Sequence, residues 1–257
     1  MKHNLTASAR RFGGALKAIA IAGAVSVALS AQAEYVSPGI TINGSKPTSE
    51  GSFSGYTYYN GVFTLTSASS TYTFAGEDTS GKVRIVAAAN CTIRLSAGFK
   101  LSLEKFNAPS PFSLANTAIQ SSPISLSGNV SVTVRAEGEA TLRGARQGPG
   151  VRVVDGQTLY LTSTGSGILR AYGGGGGAGI GTGYWDSPCG KIYVRGRVYA
   201  DGGKACGVGQ GAGGGVDSPP SGGKIYIDSD AADLLARGGY PAAAIGTAEN
   251  SIGTTTI

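Results

Sequence analysis

Three tyrosines recur at equal spacing in the second half of this chain, each inside a short segment of alternating aliphatic residues. They are Tyr160, Tyr193 and Tyr226. If the segments pair in parallel, the three rings lie on one side of a sheet, about 4.8 Å apart. Aromatic rings suit the apolar face of a sugar, and phenol hydroxyls can bond its hydroxyls. The column predicts a carbohydrate-binding stripe. The alternative is that exposed, stacked tyrosines only stabilise the sheet.

Arginines stand close to these tyrosines in the sequence. Arg170, Arg195 and Arg197 fall on or beside the same segments, and we place Arg143, Arg170 and then Tyr199 in a second outward column. Guanidinium groups recognise carboxylates through paired hydrogen bonds, which favours an acidic polysaccharide as the ligand. The alternative is a solvated surface of mixed charge, because acidic residues lie nearby.

Two matching turns carry carboxylates one repeat apart. They are Asp186-Ser-Pro188 and Asp217-Ser-Pro219. Stacked aspartates could share a calcium ion, which prefers oxygen ligands, so calcium is the cofactor that this spacing suggests. Asp followed by Ser and Pro is also an ordinary turn sequence, and that alternative stays open.

The first 33 residues have the pattern of a signal peptide. A basic leader precedes the uncharged run Ala18 to Leu29, and Ala31-Gln-Ala33 supplies a small-x-small cleavage pattern. The apolar run is too short for a stable membrane anchor, and no later stretch is long and apolar enough to cross a membrane. We therefore expect a secreted or cell-surface protein, with possible association with the cell envelope.

Removal of this leader changes which functions the composition permits. The leader holds four of the 21 basic residues and none of the 15 acidic ones, so the rest of the chain has a net charge of +2 rather than +6. The basic pI therefore does not point to nucleic acid. The leader also contains His3, the only histidine. A mature chain without histidine has no Ser-His-Asp triad and no histidine metal ligand.

Repeats of about 30 residues organise the second half of the chain. Gly-Lys-Ile-Tyr-Val at 190–194 returns as Gly-Lys-Ile-Tyr-Ile at 223–227, and Ala178-Gly-Ile-Gly181 returns as Cys206-Gly-Val-Gly209. Each repeat offers three short alternating segments separated by glycine-rich turns. A repeat this small cannot bury its own apolar face, so neighbours must stack. The pattern predicts an all-β, right-handed parallel β-helix, in which each strand pairs with its equivalent in the next repeat.

Strand alternation also predicts which residues face the core. Cys206 falls in a column of small inward residues, which favours a buried structural thiol. Gly179 and Gly181 are expected to lie outward and leave one face flat. We assign residues 34–55 to an extended N-terminal segment and residues 56–257 to the β-helix. Since Ile257 follows shortly after the glycine that would open another repeat, we favour a truncated product over a short edge strand.

These motifs together resemble a known family. Gly-Lys-Ile-Tyr-Val, Ala-Asp-Gly-Gly and Gly-Ala-Gly-Ile-Gly at these spacings are similar to the bacterial cell-surface carbohydrate-binding β-helix proteins. The resemblance covers about 56–257. It implies a right-handed parallel β-helix, binding of acidic polysaccharides such as polygalacturonate, and bound calcium in some members. It carries no catalytic set onto this chain, and it extends calcium only to Asp186 and Asp217.

The residues and the resemblance lead to one interpretation with two alternatives. We expect an exported, non-catalytic protein that binds an acidic polysaccharide through the tyrosine column and neighbouring arginines. A structural adhesin or surface-layer component is the alternative of a different class. An enzyme of the polysaccharide-lyase kind is the third.

Overall fold

The computed structural model describes residues 35–104, 121–184, 186–212, 223–228, 230–240 and 242–246. The predicted signal peptide 1–33, Asp217 and the final segment 253–257 lie outside the described residues. Within these ranges the chain forms strands and turns, and no helix among them could cross a membrane.

The described residues form 21 strands, most of them two to six residues long. In chain order they are β1 (Ile40–Ile42), β2 (Gly51–Phe53), β3 (Tyr56–Tyr59), β4 (Val62–Leu65), β5 (Thr71–Asp78), β6 (Arg84–Ala87), β7 (Cys91–Leu95), β8 (Lys100–Ser102), β9 (Ile124–Leu126), β10 (Ser131–Ala136), β11 (Glu139–Arg143), β12 (Val151–Arg152), β13 (Thr158–Ser163), β14 (Ile168–Tyr172), β15 (Ile180–Gly181), β16 (Lys191–Arg195), β17 (Arg197–Asp201), β18 (Val208–Gly209), β19 (Lys224–Ile227), β20 (Asp233–Arg237) and β21 (Ile245–Gly246).

Three stacks of parallel strands make up this part of the chain. The first stack contains β5, β7, β10, β13, β16 and β19; the second contains the end of β5 followed by β8, β11, β14, β17 and β20. The long strand β5 joins the two stacks into one curled parallel sheet of eleven strands, and β1 adds to it in antiparallel. The third stack contains β4, β6, β9, β12, β15, β18 and β21, preceded by antiparallel β2 and β3. Each later repeat places one strand in each stack, so equivalent positions form columns.

Alternating burial shows how the stacks share a core. Ile192 and Val194 of β16 are fully buried, as are Ala200 of β17 and Val208 of β18, while the residues between them in β16 and β17 reach the surface. Burying one such aliphatic side chain stabilises the fold by about 1.5–3 kcal/mol. The inward columns predicted from alternation are therefore confirmed for these repeats. The described residues are all-β and repeat-like, an arrangement compatible with the predicted β-helix.

The N-terminal strands close the core with larger side chains. Tyr58, Phe63, Phe74 and Phe99 are buried, and their rings form a continuous series in which the Tyr58 and Phe63 centroids lie 4.5 Å apart. Ile40 of β1 is also fully buried against this group. At the opposite end, the last described repeat is more open. Its inward positions are less completely covered, and Ile227 is 36% exposed.

Glycines of the third stack do not form the flat outward face that the sequence suggested. Gly179 and Gly181 are buried, and a Cβ atom on either would meet backbone atoms of the next repeat. For Gly181 the nearest such atom is the carbonyl oxygen of Gly209, at 1.8 Å. Gly181 and Gly209 have φ angles of +138° and +130°, a backbone region that L side chains rarely adopt. These glycines are required by close backbone packing.

The thiols of the described residues are all buried and unpaired. Cys206 is fully buried in the small-residue column, as predicted, while Cys189 and Cys91 lie in other parts of the core. Burial raises the pKa of the Cys206 and Cys189 thiols to about 12, and that of Cys91 to about 11. A buried thiol with a raised pKa is unreactive at neutral pH because little thiolate is present.

Candidate functional site

The three tyrosines predicted to form a column do lie in register on the first stack. Thr133 pairs with Tyr160, Tyr160 with Tyr193, and Tyr193 with Tyr226 in successive parallel strands. The ring centroids of Tyr160 and Tyr193 lie 4.8 Å apart at an interplanar angle of 17°, and those of Tyr193 and Tyr226 lie 4.5 Å apart at 8°. We call the outward side of β13, β16 and β19 the tyrosine face.

The stacking decides which parts of the rings a ligand can reach. The two faces of the Tyr193 ring are covered by Tyr160 and Tyr226, so a sugar cannot lie flat on it. The ring edges and hydroxyls remain on the outer side, and Tyr226 is 37% exposed. Loss of hydration, together with the neighbouring phenols of Tyr226 and Tyr160, raises the pKa of Tyr193. The face presents a row of phenol hydroxyls that can donate and accept hydrogen bonds.

Two lysines flank this row and were missed by the sequence interpretation. Lys191 and Lys224 pair with each other in adjacent strands, each two residues before a tyrosine and therefore on the same side of the sheet. Both are exposed, and neither forms a salt bridge with any described residue. The signal was in the sequence, because lysine occupies the second position of the repeated Gly-Lys-Ile-Tyr motif.

Arg195 lies on the other side of the tyrosine row. It is two residues after Tyr193 on β16, and its guanidinium Nε is 3.8 Å from a carboxylate oxygen of Asp228. Both side chains are about half exposed, so water weakens this long contact. Of the three arginines proposed as ligand-binding residues, Arg195 is the one on the tyrosine face.

Arg170 and Arg197 belong to a different surface. They lie outward on β14 and β17 of the second stack, a side that we call the arginine face. Arg170 donates a hydrogen bond to Glu139 at 2.8 Å, which raises its pKa, and Arg197 donates to Asp233 at 3.2 Å. Both guanidinium groups are thus paired with a carboxylate from a neighbouring strand.

The column predicted for Arg143 and Arg170 is wrong by two residues. Arg143 pairs with Tyr172 and not with Arg170, whose own partner in the next strand is Tyr199. The Arg143 guanidinium carbon lies 4.2 Å from the centroid of the Tyr172 ring, a cation–π contact. The Tyr199 hydroxyl donates to Asp201 at 3.3 Å. On the arginine face, charged and aromatic side chains therefore contact each other.

Asp186 is held in a contact that does not suit a calcium ligand. Its two carboxylate oxygens accept hydrogen bonds of 2.7 and 2.6 Å from the Arg152 guanidinium, and its side chain is 7% exposed. It also accepts bonds from the backbone N–H groups of Gly183 and Ser187. A guanidinium at this distance repels a cation, so the donors around Asp186 do not fit calcium. Asp217, its proposed partner, lies outside the described residues.

Comparisons with protein-family models, curated proteins and solved structures found no match for this chain. Among the described residues, no group of three or more His, Cys, Asp or Glu side chains is placed to hold a metal ion. The tyrosine face is the candidate site because strand register brings Tyr160, Tyr193 and Tyr226 together beside Lys191 and Lys224.

Proposed function

We propose that this chain is an exported, right-handed parallel β-helix that binds a linear acidic polysaccharide on its tyrosine face without cleaving it. The observation that carries the proposal is the pair Lys191 and Lys224, which flank a row of phenol hydroxyls and have no carboxylate partner among the described residues. Secretion or display at the cell surface belongs to the same proposal, and it rests on the leader sequence.

The spacing of the groups suggests how the polymer lies. Hydroxyls and ammonium groups repeat from strand to strand, about 4.8 Å apart, so a polymer that crosses the strands meets a similar set of groups at each repeat. A polymer that runs along one strand meets a single lysine and a single tyrosine. The ligand is therefore expected to cross the strands along the tyrosine row.

Charge favours this face over the arginine face. A uronate carboxylate that approaches Lys191 or Lys224 gains a charge-assisted hydrogen bond without breaking an existing one. A carboxylate that approaches Arg170 or Arg197 meets a guanidinium whose Nε already donates to Glu139 or Asp233, and these carboxylates offset part of the positive charge. The gain in binding free energy is therefore expected to be larger on the tyrosine face, although the two faces carry similar charged residues.

Binding to polygalacturonate, compared with a neutral polysaccharide of similar length, tests the proposal. The double variant Lys191→Gln with Lys224→Gln should weaken binding about tenfold, since each exposed contact is worth less than about 1 kcal/mol. Lys204→Gln is the matched control, because Lys204 is exposed in the turn after β17 and forms no salt bridge with the described residues. Equal loss in the control, or equal binding of the neutral polymer, would remove the proposal.

Changing Tyr160, Tyr193 and Tyr226 together to phenylalanine separates hydroxyl contacts from ring contacts. Phenylalanine keeps the stacked rings and removes the three hydroxyls, so affinity should fall if the hydroxyls bind the sugar. The unchanged thermal unfolding of the variant would show that the fold is intact. Full binding by this variant would contradict a role for the hydroxyls and would indicate that the ligand contacts the rings instead.

A structural adhesin remains a second candidate because apolar residues are exposed near the last described repeat. Leu235 is 61% exposed and Tyr240 is 95% exposed. Sedimentation that shows concentration-dependent assembly, lost on Leu235→Ser, would favour this function. For the lyase alternative, the deciding measurement is release of unsaturated sugars from polygalacturonate in the presence of calcium.

A further inference from the structure

The tyrosine face brings together phenols that are distant in sequence and adjacent in space. Tyr193 and Tyr226 are 33 residues apart in the chain, and their rings stack with centroids 4.5 Å apart and planes nearly parallel. Strands β16 and β19, which carry them, are hydrogen-bonded in a fixed register. The two rings are therefore held side by side before any reaction, which removes most of the entropic cost of bringing two phenols together.

We propose that Tyr193 and Tyr226 form a site of oxidative modification, at which a peroxidase with hydrogen peroxide joins the two rings as dityrosine. The proposal is independent of polysaccharide binding, because it depends only on the rings and on the strands that hold them. Its effect is a covalent link between two neighbouring repeats.

The reaction balances with peroxide as the oxidant. Each phenol loses one electron and its hydroxyl proton to give a phenoxyl radical, and the two electrons and two protons reduce one hydrogen peroxide to two waters. The radicals couple by a carbon–carbon bond between the ring positions ortho to the hydroxyls. Each of these carbons then loses its hydrogen as a proton, which returns to the phenol oxygens. The product has two hydrogens fewer than the two tyrosines.

The neighbouring aromatic residues differ in ways that favour this pair. Tyr226 is exposed and has one ring neighbour in the described row, so its ring can turn to form the bond. Tyr172 and Tyr199 of the arginine face are also close, at 5.5 Å, but their planes are tilted by 53°. Tyr172 lies under the Arg143 guanidinium, and the Tyr199 hydroxyl is bonded to Asp201. This second pair is therefore an internal control.

The link would join the last described repeat, some of whose inward residues are partly exposed, to the repeat before it. Ile227, next to Tyr226 in β19, is 36% exposed, whereas Val194, its partner in β16, is fully buried. A bond between the two rings would hold β19 against β16 and oppose separation of the last described repeat. Cross-linked protein should therefore resist proteolysis after β16 more strongly than untreated protein.

The test treats the full chain with peroxidase and hydrogen peroxide at low protein concentration, then measures dityrosine fluorescence and maps tryptic peptides. Cleavage after Lys191 and Arg195 isolates Tyr193, and cleavage after Lys224 and Arg237 isolates Tyr226. The expected product is these two peptides joined, lighter by two hydrogens than their sum. Its yield should not depend on protein concentration, because the bond lies within one chain.

Two conservative variants make the result specific. Tyr193→Phe should abolish cross-links within the row, since Tyr160 and Tyr226 are then about 9.6 Å apart, two strand spacings. Tyr226→Phe should leave only a Tyr160–Tyr193 link, whose rings are 4.8 Å apart. Circular dichroism of both variants checks that the fold is retained. A Tyr172–Tyr199 link in equal yield, links only between chains, or no cross-link in the folded wild type would each overturn the proposal.

Discussion

The first and third stacks belong to the same repeats, but the first has side chains that reach the surface where the third has buried glycines. Tyr193 in the first stack extends its side chain to the surface, whereas Gly181 and Gly209 in the third stack have no room for one. In the first stack, outward positions vary between threonine and tyrosine from repeat to repeat. From β15 onward in the third stack, glycine pairs with glycine at the equivalent position, whereas the preceding strand β12 has Arg152 there. The glycine motif thus reflects close backbone packing, whereas the outward positions of the first stack accept side chains of different size.

The largest expected effect is on the third stack. Gly181→Ala puts a Cβ atom into the Gly209 carbonyl oxygen and forces an L side chain into a positive φ, so unfolding free energy should fall by about 3 kcal/mol or more. Gly175→Ala is the control, because its Cβ would meet only an ordinary contact at 3.6 Å. Urea denaturation measures both. Similar unfolding free energies of the two variants would contradict the claim that close backbone packing in the third stack requires glycine.

A smaller loss is expected at the ion pair beside the third stack. Asp186→Asn removes the charge that holds Arg152, and since the Asp186 side chain is 7% exposed the cost should be about 2 kcal/mol. Glu139→Gln breaks the more exposed pair with Arg170, which should cost less than about 0.5 kcal/mol. Thermal and urea unfolding of the two variants should rank them in this order; the reverse order would contradict the burial argument.

Alkaline pH should act on the buried thiols. Burial raises the pKa of Cys206 from about 9 to about 12, so the folded state keeps a proton that the unfolded state loses, and stability falls as pH rises from 9 towards 12. One thiol should contribute a loss on the order of 1 kcal/mol between pH 8 and pH 10. Denaturant titrations at the two pH values, with Cys206→Ala as the comparison, check this. An unchanged pH slope in the variant would mean that this thiol does not carry the effect.

The tyrosine face should tolerate change with little loss of stability. Tyr160→Thr introduces the residue found at Thr133 one repeat earlier, and it should cost no more than about 1 kcal/mol because one exposed stacking contact is lost. Calorimetry measures the change. A cost as large as that of Gly181→Ala would mean that the tyrosines are primarily structural, as the alternative to a binding stripe holds.

Calcium removal is expected to have the smallest effect on stability, because Asp186 is already paired with Arg152. Since Arg152 already occupies the carboxylate of Asp186, excess EDTA should leave the melting temperature unchanged. Addition of calcium chloride in place of EDTA is the matched measurement. A clear stabilisation by calcium that Asp186→Asn abolishes would show that the cation displaces the guanidinium.

The sequence was sufficient to predict the all-β class, the columns of the core and the tyrosine register. Alternation and the repeated Gly-Lys-Ile-Tyr motif specify these features locally, because each strand contains its own pattern. Carbohydrate binding and the right-handed β-helix stay predictions.

The pairing of the charges was not evident from the sequence. Arg170 meets Glu139 and Arg197 meets Asp233 across neighbouring strands, and turns of different length separate the partners. An error of two residues in aligning Arg143 was therefore enough to misplace a column. The glycines of the third stack were misread for a related reason: whether a missing side chain exposes a flat surface or admits another backbone depends on how the chain returns after the turn.

The register of the tyrosine row also has a genetic consequence. Equivalent tyrosines are 33 codons apart twice in succession, so loss of Leu161–Tyr193 in frame would join Tyr160 to Val194 and leave the alternation of that strand unbroken. The gene could thus shorten the row by one tyrosine, or lengthen it by duplication, without a new strand sequence having to arise. Unequal recombination between repeats would then change the length of the surface in whole units.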